Sequence, residues 1–161
     1  MAVLDSELQS RIDELRFGAA QFYRTDRALY YSMKTEAWDL YPEPKEEWNE
    51  AYSLAKDLFQ ALLRERDYEK AKLWLNRMIA CNNNLHLFPG DLEFSIGRYL
   101  FEIEQYEPAL GYFQIAVKIA GLRYFGNEDP KYREFYKTPD KWMQGLSRRG
   151  KVEEALHIDF L

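Results

Sequence analysis

Residues 91–121 decide the fold and read DLEFSIGRYLFEIEQYEPALGYFQIAVKIAG. Two sets of apolar residues recur in this stretch at steps of three and four, the spacing of one face of an α-helix. The first set is Phe94, Ile96, Gly97, Leu100, Phe101 and Ile103, and the second is Ala109, Leu110, Phe113, Ala116, Val117 and Ala120. A tight connection at residues 104–108 separates them. The stretch therefore predicts two amphipathic helices that pack back to back.

Small residues in both helices predict that the two lie close together. Gly97 and Ala109 stand where a bulky side chain would hold the helices apart. Phe113 and Ala116 follow Ala109 by four and seven residues, so they share its helical face. This spacing, with Tyr106 before the second helix, resembles a tetratricopeptide (TPR) repeat, although the tryptophan and tyrosine usual in the first helix are replaced. Because one repeat is not stable alone, the resemblance implies others.

Weaker copies of the signal flank this stretch. Thirty-eight residues upstream, residues 67–71 (DYEKA) align with residues 105–109 (QYEPA). The interval exceeds the TPR period of about 34 residues, and we expect the excess in a loop at residues 81–86. Downstream, residues 150–156 repeat the turn-then-alanine signal and predict a truncated terminal repeat.

One all-α domain is expected, because 161 residues, 47% of them hydrophobic, suffice for one sizeable core. The resemblance implies antiparallel helical hairpins stacked in a right-handed TPR-like superhelix of about seven to eight helices. The predicted parts of residues 1–161 are an N-terminal helical hairpin at 1–41, a repeat at 45–81, the clearest repeat at 91–121, and an irregular segment with a truncated cap at 127–161.

Residues 40–48 (LYPEPKEEW) interrupt the helices. The two prolines lack N–H donors and keep their predecessors extended, and residues 46–47 are predicted in the first turn of a new helix, where acids are favoured. The stretch is interpreted as a rigid linker. The alternative is an aromatic binding corner formed by Trp38, Tyr41 and Trp48.

A second irregular stretch covers residues 121–137. Gly121 is predicted to end the long helix, residues 127–130 to form a turn and helix start, and Tyr132 and Phe135 to share a helical face. Together, LYPEPKEEW and FGNEDPKYREFY resemble two sequences in a group of bacterial TPR proteins, over roughly residues 25–137. Members of that group often look like partners or immunity proteins of secreted toxins, so the resemblance implies a protein-binding protein and favours toxin neutralisation.

Charge and composition narrow the function classes. A formal net charge of −5 argues against nucleic-acid binding and suits a basic partner such as a basic toxin. The single cysteine excludes an internal disulfide framework and a four-cysteine zinc site. Residues 1–4 lead directly into charged residues without a signal-peptide core, and no apolar run approaches the roughly 18 residues of a membrane span. We expect a soluble, cytoplasmic protein.

Catalytic and metal-binding motifs are absent from the sequence. There is no HExxH, no glycine-rich phosphate loop and no GxSxG elbow. His86 and His157 are expected to be solvent-exposed or capping residues, and Cys81 to be a small apolar residue without a neighbouring cation to activate it. The sequence therefore predicts a protein that is not an enzyme and has no cofactor and no metal.

The predicted binding surface is a concave groove. In a TPR-like stack the first helices of successive hairpins line this surface, and their outward positions are free to contact a ligand. Projected from Gly97, these positions are Lys56, Gln60, Leu63, Arg64, Phe94, Arg98, Phe101 and Glu102. Apolar side chains ringed by charges are typical of protein-binding sites. The alternative is that the aromatic residues pack against the N-terminal helices or the segment around Phe135.

Three functions stay open at this stage. The first is non-catalytic protein binding, as an immunity or partner protein of a bacterial toxin. The second is an adaptor or co-chaperone-like protein that captures a peptide tail, for which Lys56, Arg64 and Arg98 offer a sparse cationic clamp. The third is a regulator that binds a small ligand. A homodimer also stays open, because an exposed aromatic face serves equally as a dimer interface.

Overall fold

The chain is all-α throughout the part that the computed structural model describes, residues 3–85 and 88–143. That part holds eight helices and no strand, which confirms the predicted fold class. Three short 3₁₀ turns lie at Ala19–Phe22, Lys45–Glu47 and Arg123–Phe125. The helices are α1 (Ser6–Gly18), α2 (Arg27–Leu40), α3 (Asn49–Arg64), α4 (Tyr68–Leu85), α5 (Asp91–Glu102), α6 (Tyr106–Ala120), α7 (Pro130–Lys137) and α8 (Asp140–Met143). The predicted terminal repeat at residues 150–156, His86 and His157 lie outside the described residues.

Consecutive helices pack as hairpins. The most extensive contacts join α3 to α4 and α5 to α6, followed by α1 to α2, and α7 and α8 then pack against α6. Asp5 and Asp26 cap the starts of α1 and α2, since their carboxylates accept backbone N–H groups of the first turn. No helix in the described part of the chain is long and apolar enough to cross a membrane.

The α3/α4 and α5/α6 hairpins turn in the same way. Arg66 and Glu104 both have φ of 63°, in the left-handed region. The N–H of the next residue then bonds back to the last helical turn: Asp67 to the Leu62 oxygen at 3.0 Å, and Gln105 to its counterpart Leu100 at 2.8 Å. This is the Schellman cap that often ends α-helices. The two caps lie 38 residues apart, the offset on which residues 67–71 and 105–109 were aligned.

Two local predictions are wrong. The loop expected at residues 81–86 is helical as far as Leu85, because neither proline nor glycine interrupts the chain before Pro89 and Gly90. Residues 46–47 belong to a separate 3₁₀ turn and not to the first turn of α3. Trp48 separates that turn from α3 with an extended backbone, and its indole N–H donates to the Pro42 oxygen at 2.8 Å.

The core is aromatic where α5, α6 and α7 meet. Phe113 and Phe135 are completely buried there, and Gly97 and Ala109 lie at the α5/α6 interface as predicted. Asp129 caps α7, and Pro130 follows at its first position, as expected for residues 127–130. The segment after α6 therefore folds back across α5 and places Phe135 against the helix pair.

Candidate functional site

The aromatic residues predicted to line a groove belong to the core instead. Phe94 is 2% exposed and Phe101 is 6% exposed. The Phe101 ring lies 5.1 Å from that of Phe135 and 5.3 Å from that of Tyr132, while Phe94 lies 4.9 Å from Phe125. This burial excludes Phe94 and Phe101 as exposed anchors for a partner. The alternative stated above, that the segment around Phe135 covers them, is the one observed for Phe101.

Lys56, another residue of the predicted groove, forms an ion pair with the start of α5. Its ammonium group lies 2.6 Å from a carboxylate oxygen of Asp91, and the Tyr52 hydroxyl donates to the other oxygen at 2.6 Å. Asp91 is buried, so this ion pair links α3 to the start of α5 within the protein. Burial, together with the nearby Asp91 carboxylate, raises the pKa of Tyr52 well above its usual value. Lys56 thus has a partner within the chain.

The other five predicted groove residues line one cavity of about 330 Å³. We call it the polar cavity and define it by its lining residues Gln60, Leu63, Arg64, Arg66, Arg98, Glu102, Asn127, Glu128, Asp129, Lys131 and Tyr132. Its walls come from α3, α5 and the turn that leads into α7. The structure therefore brings Gln60, Leu63, Arg64, Arg98 and Glu102 together as predicted, but into a polar recess and not an apolar groove.

Arg98 lies buried in the wall of the polar cavity. It is 3% exposed, and its guanidinium carbon lies 5.7 Å from the centre of the Phe59 ring and 5.5 Å from that of Phe94. Its Nη1 is 2.9 Å from Glu128 Oε2, and its Nη2 donates to Gln60 Oε1 at 3.3 Å. The Nε atom is buried without a hydrogen-bond acceptor. A buried guanidinium with an unpaired donor is costly unless something else pairs it.

The remaining charges of the polar cavity are unevenly paired. Glu102 lies 2.5 Å from the Lys131 ammonium group and accepts the Tyr132 hydroxyl at 3.1 Å. Burial and the Glu102 carboxylate raise the pKa of Tyr132. Arg64 and Arg66 are exposed, and no carboxylate of the described residues lies within ion-pair distance of either. Two arginines at the mouth of the cavity therefore lack a carboxylate partner among the described residues.

Sequence reasoning missed Arg66, Glu128 and Lys131. Arg66 follows the end of α3, and the other two flank the start of α7, some 30 residues beyond Arg98. Nothing local in the sequence connects these residues. Residues 127–130 (NEDP) predicted the start of a helix, which is α7. That this start lies next to α5 follows from the tertiary fold and not from the local sequence.

The residues of the proposed aromatic corner pack inside the protein and do not form an open binding site. Trp38 and Tyr41 are buried, and Trp48 is half-buried beside them. The Lys45 ammonium group donates to the backbone oxygens of Trp38 at 3.1 Å and Tyr41 at 2.7 Å, which satisfies carbonyl groups at the end of α2. The lysine of LYPEPKEEW therefore caps a helix, and the structural interpretation of this stretch holds.

A second cavity, of about 240 Å³, lies beside Trp38 and Cys81. Arg77 stacks over the Trp38 and Trp74 rings at 5.3 and 4.2 Å on its wall. Burial raises the pKa of the Cys81 thiol to about 12, which leaves it protonated and unreactive near neutral pH. Cys81 thus packs as the small apolar residue expected from the sequence.

Within residues 3–85 and 88–143, no three His, Cys, Asp or Glu residues are grouped so that they could hold a metal ion. In comparisons with protein families, curated proteins and solved structures, no match to this chain was found. The TPR relationship accordingly stays a prediction based on the residues quoted above.

Proposed function

We propose that this chain is a non-catalytic protein-binding module of TPR-like architecture, and that the polar cavity is where the partner binds. The observation that carries the proposal is the convergence of Gln60, Leu63, Arg64, Arg98 and Glu102 on one recess. They are five of the eight residues that the helical pattern of the sequence predicts to face a ligand. The spare cations Arg64 and Arg66 at its mouth leave charge for a partner to pair.

The order of the helices supports the TPR-like part of the proposal. Helical hairpins follow one another along the chain, and two of them end their first helix with equivalent caps 38 residues apart. A right-handed superhelical stack is compatible with this order. Such arrays bind other proteins through residues on one side of successive helices.

The charge distribution supports a protein partner with a basic surface. Residues 1–50 contain eleven acidic and six basic side chains, which accounts for the entire net charge of −5. These fifty residues would therefore steer a basic protein by long-range attraction, while an acidic side chain of that protein pairs with Arg64 and Arg66. With the resemblance to toxin-associated bacterial proteins, this extends the proposal to a cytoplasmic immunity protein that neutralises a basic secreted toxin.

A second candidate function is a peptide-binding adaptor. Arg64, Arg66 and Arg98 on one recess favour it, because arginine pairs well with the carboxylates of an acidic peptide. The two candidates predict different partners: a folded basic protein in one case and an acidic peptide segment in the other.

Affinity capture from the host that produces the protein tests the proposal. The tagged wild type is compared with Arg64→Glu/Arg66→Glu, and with Lys118→Glu/Lys137→Glu as a control of equal charge change on exposed lysines outside the cavity. The proposal predicts one stoichiometric protein recovered by the wild type and the control, identified by mass spectrometry, and lost from the cavity variant. Equal recovery by all three proteins would contradict it.

A further inference from the structure

The polar cavity already holds a carboxylate that belongs to the protein itself. Glu128 lies in the turn between the Arg123–Phe125 3₁₀ turn and α7, and its Oε2 is 2.9 Å from Arg98 Nη1. The Glu128 side chain is 24% exposed, whereas the Arg98 side chain is 4% exposed. One member of the ion pair is therefore fixed in the protein interior and the other borders solvent.

Arg98 is the fixed member for a physical reason. Its guanidinium lies 5.7 and 5.5 Å from the centres of the Phe59 and Phe94 rings and donates to Gln60, so its position is set by α3 and α5. Among the residues that the structure describes, Glu128 is held by its backbone N–H, which donates to the Phe125 oxygen at 3.2 Å, and by this ion pair. A change of rotamer at Glu128 would vacate the arginine without moving a helix.

The hydrogen-bonding capacity of the Arg98 guanidinium is not fully used. A guanidinium presents its N–H groups in a planar fork that fits both oxygens of one carboxylate. Here the ion pair uses Nη1, while Gln60 takes Nη2 and Nε is left without an acceptor. A carboxylate that replaced Glu128 could bridge Nη1 and Nη2 at the end of the fork with its two oxygens, and would so bind more fully than Glu128 does.

We propose that Glu128 is an internal competitor, which occupies Arg98 until an acidic side chain of a partner peptide replaces it. The inference rests on the second candidate of the proposed function, the peptide-binding adaptor, because it names the group that an acidic partner peptide places in the polar cavity. Glu102 is not exchangeable in this way, since Lys131 and Tyr132 already hold it. Arg64 and Arg66 at the mouth attract the incoming carboxylate and compensate its charge.

The test uses Glu128→Gln, which keeps the shape of the side chain and removes its charge. Its control is Glu134→Gln, which removes the same charge from an exposed residue of α7 whose side chain pairs with Lys141. The probe is a fluorescein-labelled tetraglutamate with an amidated C-terminus, and its dissociation constant is measured by fluorescence anisotropy. Removing the competitor is expected to tighten binding about tenfold, whereas the control stays within about twofold of the wild type.

Two further arms fix the source of the carboxylate and guard against misfolding. A labelled tetra-alanine with a free C-terminus should show no gain in Glu128→Gln, and a gain confined to it would overturn the assignment to a side chain. Glu128→Asp keeps a carboxylate beside Arg98 on a shorter side chain. We therefore expect it to gain less affinity for tetraglutamate than Glu128→Gln does. Melting curves of all variants verify that each is folded.

The outcomes separate this inference from the proposed function. If Glu128→Gln gains no affinity, or gains no more than Glu134→Gln, the internal competitor is overturned. If at the same time Arg64→Glu/Arg66→Glu abolishes capture of the natural partner, the polar cavity remains its binding site. If capture is unaffected while the tetraglutamate gain is present, the competitor exists and the proposed partner site is wrong.

Discussion

Gly97 of α5 lies directly against the ring of Phe113 on α6. A Cβ atom at residue 97 would sit 2.7 Å from both Cδ1 and Cε1 of that ring, closer than carbon atoms approach in folded proteins. Phe113 is completely buried and cannot swing towards solvent. The closeness of the two helices thus requires a glycine here, whereas the helical backbone at residue 97 does not.

We therefore expect Gly97→Ala to destabilise the protein, by roughly 1–3 kcal/mol through overpacking. Gly111→Ala is the matched control, because nothing lies within 4 Å of a Cβ there and the residue is also inside a helix. The control should stabilise by about 0.5–1 kcal/mol, since alanine favours helix over glycine. Urea unfolding measures both values, and equal shifts would mean that α5 and α6 are farther apart.

Phe101→Ala tests whether the Phe101 ring belongs to the core or lines an exposed groove. The Phe101 ring contacts Tyr106, Phe135 and Trp142, so its truncation should lower the free energy of unfolding by roughly 3–5 kcal/mol. Ile115→Ala, at a residue that is 47% exposed, should change it by no more than about 0.5 kcal/mol. A Phe101→Ala protein with the melting temperature of the wild type would show that the ring is not in the core.

The hairpin and the cavity differ in how far the sequence predicts them. The α5/α6 hairpin was predictable because its period, its small residues and its turn lie within about 30 consecutive residues. The burial of Phe101 was not predictable. An apolar residue on a helix face gives the same sequence periodicity whether a partner protein or Phe135 of the same chain covers it. The Glu128 and Lys131 charges of the polar cavity likewise depend on how α7 folds back.

Arg66→Gly should raise stability. Arg66 has φ of 63°, where a side chain costs about 1 kcal/mol relative to glycine. Arg66→Ala is the control, because it removes the same side chain but keeps a Cβ in the strained conformation. We expect a higher melting temperature for Arg66→Gly than for Arg66→Ala by several degrees, roughly the effect of 1 kcal/mol in a domain of this size. Identical melting temperatures would contradict the left-handed cap at the end of α3.

Stability at high pH should depend on Tyr41. Burial raises the pKa of its hydroxyl to about 12 in the folded protein, whereas the unfolded chain ionises near pH 10. Above pH 10 the unfolded state therefore loses protons first, and the free energy of unfolding falls until the pH reaches about 12. Urea titrations at pH 8, 10 and 11 should show a steeper fall for the wild type than for Tyr41→Phe. Parallel curves would mean that the hydroxyl is not buried.

Hydrogen exchange with and without the captured partner tests most directly whether the polar cavity is the binding site. Peptide-level mass spectrometry should show new protection at residues 60–66 and 127–132, which form the mouth of the cavity. Exchange in α1 and on the exposed side of α6 around Ile115 and Ile119 should not change. Protection confined to the acidic N-terminal residues 3–50, with the cavity segments unchanged, would contradict the proposed site.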